Sequence, residues 1–192
     1  MSKESIRTFI ALEINEITKE KINRIQDKIK QTNSIKASWV SKNNLHLTLK
    51  FLGETQLKFI EPIKNNIKEC LESLNAINCN ITKAGVFPNE KFPRVAWVGI
   101  EEGKAKIIDL AKKIEYSIFK LGFKKEKREF KTHITICRIK QLLDYNQFCS
   151  IIDLTNKTFE PIEFTLNKIT FFESQLSPQG SIYTELFRYI LQ

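Results

Sequence analysis

The apolar positions of this chain change period several times, and each change predicts an element. Residues 6–14 read IRTFIALEI, a nearly continuous apolar run that predicts a strand. From residue 15 to 32 the spacing turns helical, with Ile17, Ile22, Ile25 and Ile29 three to five apart and Lys and Glu between them. Asn15 or Thr18 suits the cap of that helix. Residues 45–52, LHLTLKFL, alternate strictly, with Leu45, Leu47, Leu49 and Phe51 against His46, Thr48 and Lys50. This predicts a half-buried strand with one polar face, ended by Gly53. A helix is predicted from Thr55 to about Leu74, then a strand over 77–87.

The second half repeats the order. A strand is predicted at 94–100 (RVAWVGI), a helix at 101–121 and a strand at 130–138 carrying His133 and Thr135. A short helix follows at 144–154, then strands at 159–172 and 182–191 joined through the turn Ser177-Pro178-Gln179-Gly180. His46 and His133 are 87 residues apart, and the strands preceding them are offset by nearly the same amount. A shared offset over several elements suggests duplication of one unit. The reading is one domain over 1–192, with pseudo-repeat lobes of roughly 1–90 and 91–192 linked near Asn89 to Pro93, facing each other across a pseudo-twofold axis.

Composition narrows the class. The chain has 192 residues and is 42% hydrophobic with 14 Phe, enough for a packed core. No run of about 18 apolar residues occurs, so no membrane span is expected. The N-terminus lacks the apolar region of a secretory signal, which points to the cytoplasm. The four cysteines form no C-x-x-C pair or zinc-ligand spacing, and reduced thiols are expected. A formal net charge of +9 fits a polyanionic partner and fits equally a Lys-rich solvated surface.

The candidate chemistry lies in the histidines. There are only two, and both stand in one pattern: His46-Leu47-Thr48-Leu49 and His133-Ile134-Thr135-Ile136. One His meets apolar-Thr-apolar by chance about once in a hundred, and two together about once in ten thousand. In a strand, residues i and i+2 share a face, so each motif presents an imidazole beside a hydroxyl. Opposed across a cleft, two His could serve as acid and base, while Thr hydroxyls donate to phosphate oxygens. No metal or other cofactor is needed for this chemistry. The competing reading is a pair of half-buried structural histidines. A zinc site is disfavoured because no Asp, Glu or Cys supports the two imidazoles at a suitable spacing.

These motifs closely resemble the two-histidine (2H) phosphoesterase superfamily, and within it the RNA 2′,3′-cyclic phosphodiesterases that resemble 2′-5′ RNA ligases. The similarity runs nearly end to end. It takes in Ile6 to Ala11, Trp39-Val40, HLTLKFLGE from His46 to Glu54, Phe87-Pro88, Arg94 to Gly99, Arg128 to Arg138, Glu173 to Gly180 and Tyr183. One departure is Thr132, where the family usually has Pro before the second His. The resemblance implies a bilobal, duplicated α+β fold, with two antiparallel sheets facing a central cleft and helices outside. It implies opening of a terminal RNA 2′,3′-cyclic phosphate to a 2′-phosphate. By that resemblance His46 is the proton donor, His133 the proton acceptor, and Thr48, Thr135 and Arg138 bind phosphate. Strict alternation puts Arg138 opposite His133, so its role requires a bulge or a strand end.

Other residues carry weaker expectations. Lys50 shares the face of His46 and Thr48 and is a candidate for the RNA backbone, against which strand faces widen beyond a cleft. Phe87 and Phe92 could stack a base, though packing is expected more strongly. Trp39 and Trp97 are expected in the core, and the basic stretch 124–128 is either an RNA track or a solvated edge. The implied partner is RNA with a cyclic-phosphate end, tRNA fragments among the candidates, acted on by a monomer. Ligation or nucleotidyl transfer in the same cleft, a small cyclic-nucleotide phosphodiesterase and a non-catalytic RNA-binding module are the alternatives.

Overall fold

Two antiparallel sheets divide the strands of this chain, seen in a computed structural model that describes residues 4–72, 74–178 and 180–192. The N-terminal residues 1–3, Ser73 in the second predicted helix and Gln179 in the predicted turn lie outside the described residues. In chain order the elements are β1 (Ser5–Glu13), α1 (Glu16–Gln31), β2 (Ile35–Trp39), β3 (His46–Gln56), α2 (Ile60–Leu71), β4 (Ile77–Phe87) and β5 (Val95–Ile100). Then follow α3 (Lys104–Lys120), β6 (His133–Leu142), α4 (Tyr145–Lys157), β7 (Ile162–Leu166), β8 (Lys168–Ser177) and β9 (Gly180–Ile190). One sheet has the order β3-β1-β8-β9, the other β2-β6-β5-β4-β7. Each sheet thus draws strands from both halves of the sequence.

Local signals explain the helix starts. The Asn15 side chain accepts a hydrogen bond from the Thr18 amide at 2.8 Å, and Asp144 does the same for Gln147 at 2.9 Å. Such caps satisfy amides that have no intrahelical partner. The buried stripe of α1 is Ile22, Ile25, Gln26 and Ile29, and that of α3 is Ile107, Leu110, Ala111, Ile114 and Ile118. The helices lie against the sheets' outer faces, α1 beside α4 and α2 beside α3. With Ile10, Leu12, Leu47, Ile134 and Ile136, the apolar members of these stripes form one continuous core.

Several boundaries differ from the sequence expectations. β3 runs through Gly53 to Gln56: Gly53 takes a φ of +74° at a register shift that leaves Leu52 extra, and pairing with β1 resumes beyond it. The helix therefore starts at Ile60 rather than near Thr55. The predicted strand 159–172 is two strands in different sheets, β7 and β8, broken at Asn167. β2 was not among the expected strands, although Ile35, Ala37 and Trp39 alternate with Lys36 and Ser38; it pairs antiparallel with β6.

Candidate active site

The two histidine motifs line one cavity of about 420 Å³, His46 and Thr48 from β3 and His133 and Thr135 from β6. Arg138, Arg7, Trp39 and Tyr183 share its wall. Every residue assigned to the site from sequence is therefore brought together.

Both imidazoles are oriented the same way. His46 Nδ1 lies 2.7 Å from the carbonyl of Asn44, and His133 Nδ1 lies 2.7 Å from the carbonyl of Lys131. A carbonyl only accepts, so Nδ1 donates in each ring and Nε2 is the nitrogen left for chemistry. The rings are also wedged. His46 tilts against Phe9 at 5.0 Å and meets Tyr183 edge-on at 5.5 Å. His133 meets Phe87 edge-on at 5.1 Å, and Phe87 stacks on Trp97 at 5.0 Å. Trp97 lies flat because Gly85 and Gly99 leave the sheet bare beneath it. A Cβ on Gly85 would come within 2.5 Å of the indole, and one on Gly99 within 2.9 Å.

The two Nε2 atoms differ. That of His46 lies 2.9 Å from Thr48 Oγ1, whereas among the described residues His133 Nε2 has no hydrogen-bond partner. Burial pushes the His46 imidazole down to about 4, opposed by the bond to Asn44 and helped by repulsion from His133. Burial also lowers His133, opposed by the bond to the Lys131 carbonyl and helped by the charges of Arg138 and Lys131. Both rings are therefore neutral at pH 7 in the free protein.

Bulges decide what else reaches the cleft. In β6, Thr135 pairs with Trp97 but Cys137 pairs with Ala96, which leaves Ile136 as an extra residue. The side chain at 138 is thereby turned to the face of His133, and Arg138 becomes a wall of the cavity. Its access depends on that irregularity, as strict alternation required. The Ile136 carbonyl is held from behind by the Val40 amide at 3.0 Å and by Nε2 of the buried Gln26 at 2.7 Å.

A matching bulge in β3 overturns the expectation for Lys50. Thr48 pairs with Ala11 and Lys50 with Ile10, so Leu49 is extra and the faces exchange. Lys50 turns into the core side at 6% exposure, forming a 2.7 Å ion pair with Glu115 and a 3.0 Å bond to the Lys124 carbonyl. Phe51 takes its place in the cleft.

The remaining expectations divide. Trp39 packs against the core and also lines the cavity, and Phe92 is 63% exposed. Thr132 supplies by hydrogen bonds what a proline would supply by its fixed φ. Its hydroxyl donates to the Ile100 carbonyl at 3.0 Å, and its carbonyl accepts from the Ile100 amide at 3.2 Å. Sequence reasoning assigned no role to Asn44, Phe51 or Arg7. The 87-residue offset could have found the first two, since it pairs Asn44 with Lys131 and Phe51 with Arg138.

Comparison with known proteins identifies the family. The model of the LigT-like phosphoesterases matches the chain twice, over residues 12–97 and 98–183. An Aquifex aeolicus protein named RNA 2′,3′-cyclic phosphodiesterase is 34% identical, covering 97% of each chain. A Methanothermobacter thermautotrophicus protein of the same name is 30% identical over 94% of this chain and 96% of its own. Among solved structures, a Thermus thermophilus protein superposes with a TM-score of 0.80 at 23% identity, covering 97% of this chain and 98% of its own. Escherichia coli LigT in its apo form gives 0.74 at 22% identity, with 99% of each chain covered. The duplicated α+β architecture is therefore the LigT fold, and the chain belongs to the LigT-like phosphoesterase family, the 2H phosphoesterases.

Proposed function

We propose that this chain hydrolyses RNA 2′,3′-cyclic phosphate ends to 2′-phosphates, with His46 as the acid, His133 as the base and no metal ion. The observation that carries the reading is the convergence of both His-x-Thr pairs on one cavity, each ring pinned through Nδ1. The names of the relatives, RNA 2′,3′-cyclic phosphodiesterase, support the substrate.

In the proposed step His133 Nε2 takes a proton from water. The water oxygen bonds to phosphorus and the P–O3′ bond breaks. O3′ then takes the proton of His46 Nε2, leaving the phosphate on O2′. The Nε2 of His133, without a partner among the described residues, suits a base that must accept from water. His46 must gain its proton in the complex. The bound anionic phosphate favours the imidazolium and raises its pKa from about 4. Once His46 is protonated, Nε2–H can turn to the leaving oxygen, and the Thr48 hydroxyl is released to donate to phosphate. Thr135 and Arg138 complete the phosphate contacts. Acid–base help of this kind is worth roughly 10² to 10⁴ in rate per group.

A monomer suffices, because one chain carries both motifs. RNA fragments with cyclic ends, those of tRNA included, are the expected substrates. The test is hydrolysis of such an RNA in ¹⁸O-labelled water, with a 5′-hydroxyl RNA also present. One labelled oxygen in a terminal 2′-phosphate supports the reading. A 3′-phosphate, or a joined RNA without label, would refute it.

A further inference from the structure

The cavity wall of the β3–β1 sheet carries a cation that the proposed hydrolysis does not use. Arg7 of β1 lies with its guanidinium carbon 4.7 Å from the centre of the Phe51 ring. It faces the cavity, and among the described residues it makes no hydrogen bond or ion pair, its Nε being buried without a partner. An arginine supported over an aromatic ring, with no partner among the described residues, is preorganised for an anion, since its fork of donors matches phosphate oxygens.

Its place along the strands says which anion. Ala11 pairs with Thr48, and Phe9 pairs with Phe51. Phe51 therefore stands one two-residue step along the sheet from Thr48, about 6.6 Å. That is the order of the spacing between neighbouring phosphates in an extended single strand. Phe51 is also a wall of the next hollow, of about 390 Å³, bordered by Lys124, Lys125 and Glu126. The cleft thus continues past Phe51 toward the basic loop. In the second repeat the position of Phe51 is held by Arg138, so the two sides of the cleft bring their guanidinium groups from different strands.

We propose that Arg7, supported on Phe51, forms a second phosphate subsite that takes the internucleotide phosphate on the 5′ side of the cyclic end. This rests on the function proposed above and narrows the substrate to RNA of two nucleotides or more, with the strand leaving over Phe51. Backbone capture by cations beside aromatic rings is common in single-strand sites.

The experiment compares three substrates: a mononucleotide 2′,3′-cyclic phosphate, a dinucleotide with the same end, and that dinucleotide with an uncharged methylphosphonate linkage. Each is given to the wild type, to Arg7→Met and to Arg7→Lys. The wild type should prefer the charged dinucleotide by about tenfold or more in kcat/KM over the other two. Arg7→Met should abolish that preference, and Arg7→Lys should restore part of it. An equal loss on all three substrates, or an unchanged preference in Arg7→Met, overturns the subsite. Wild-type inactivity on every substrate would instead refute the hydrolase reading, and with it the subsite.

Discussion

Thr48 Oγ1 sits 2.9 Å from Nε2 of His46, while the same nitrogen of His133 has no partner among the described residues. In a pair of motifs related by an 87-residue offset, this is where the two halves of the site part. With a neutral His46 the hydroxyl donates to Nε2, and it is free for phosphate only after the ring is protonated. Thr48→Val should therefore lower kcat by roughly 10² to 10³, the cost of one well-placed donor to transition-state oxygens. Single-turnover kinetics would check it. A loss confined to KM would mean that Thr48 only binds the ground state.

The acid and base can be told apart by the leaving group. A cyclic substrate with sulfur in place of O3′ expels a thiolate, which needs no proton. Activity of His46→Ala should recover by at least tenfold on this substrate relative to the oxygen one, and that of His133→Ala should not. Recovery of His133→Ala instead would reverse the two roles.

The lowered histidine pKa values set the pH dependence. The acid must be protonated, so activity falls as pH rises through the pKa of His46. The base must be neutral, so activity falls as pH drops through the pKa of His133. In the free protein the first is about 4 and the second is below its usual value of 6.5. The kcat/KM profile should peak on the acid side of 6.5. The kcat profile, which reports the complex, should lie at higher pH because the bound anion favours His46⁺. Coincident profiles centred above 6.5 would contradict this electrostatic account.

Lys50 separates structure from chemistry. It is buried against the half-buried Glu115, and removing it leaves that carboxylate with one donor fewer. Lys50→Met should cost about 2 kcal/mol or more in a denaturant titration, with little change in KM for RNA. A large KM effect at unchanged stability would restore the backbone-contact role that its place in the sequence suggests.

The Trp97 stack holds His133 at a distance. Gly85→Ala places a methyl where the indole lies. It should destabilise the fold by about 1–3 kcal/mol and lower kcat about tenfold by moving Phe87 off the histidine. Unchanged kinetics in a destabilised variant would show that Phe87 does not position the ring.

Much of this site was legible because its signals are local. A His-x-Thr strand shows its geometry through the period of two, and repetition at one offset identified both copies. The need for a bulge or a strand end at Arg138 followed from the same period. What could not be read were the events that break the period. The extra residue at Leu49 trades Lys50 for Phe51, and nothing in LHLTLKFL marks it; it is set by pairing with β1. The extra residue at Ile136 is held by Gln26, 110 positions away. The division of 159–172 is equally nonlocal, since β7 and β8 find partners in different sheets. Arg7 looked like one polar position in an apolar run, and only the fold sets it over Phe51.

The central claim is paired acid–base catalysis by His46 and His133 without a metal ion. Its most direct test is turnover of an RNA ending in a 2′,3′-cyclic phosphate, in EDTA, by the wild type, His46→Ala and His133→Ala. The account predicts wild-type turnover to a 2′-phosphate and a loss of about 10² or more in each variant. No turnover by the wild type in EDTA, or full activity in either variant, would contradict it.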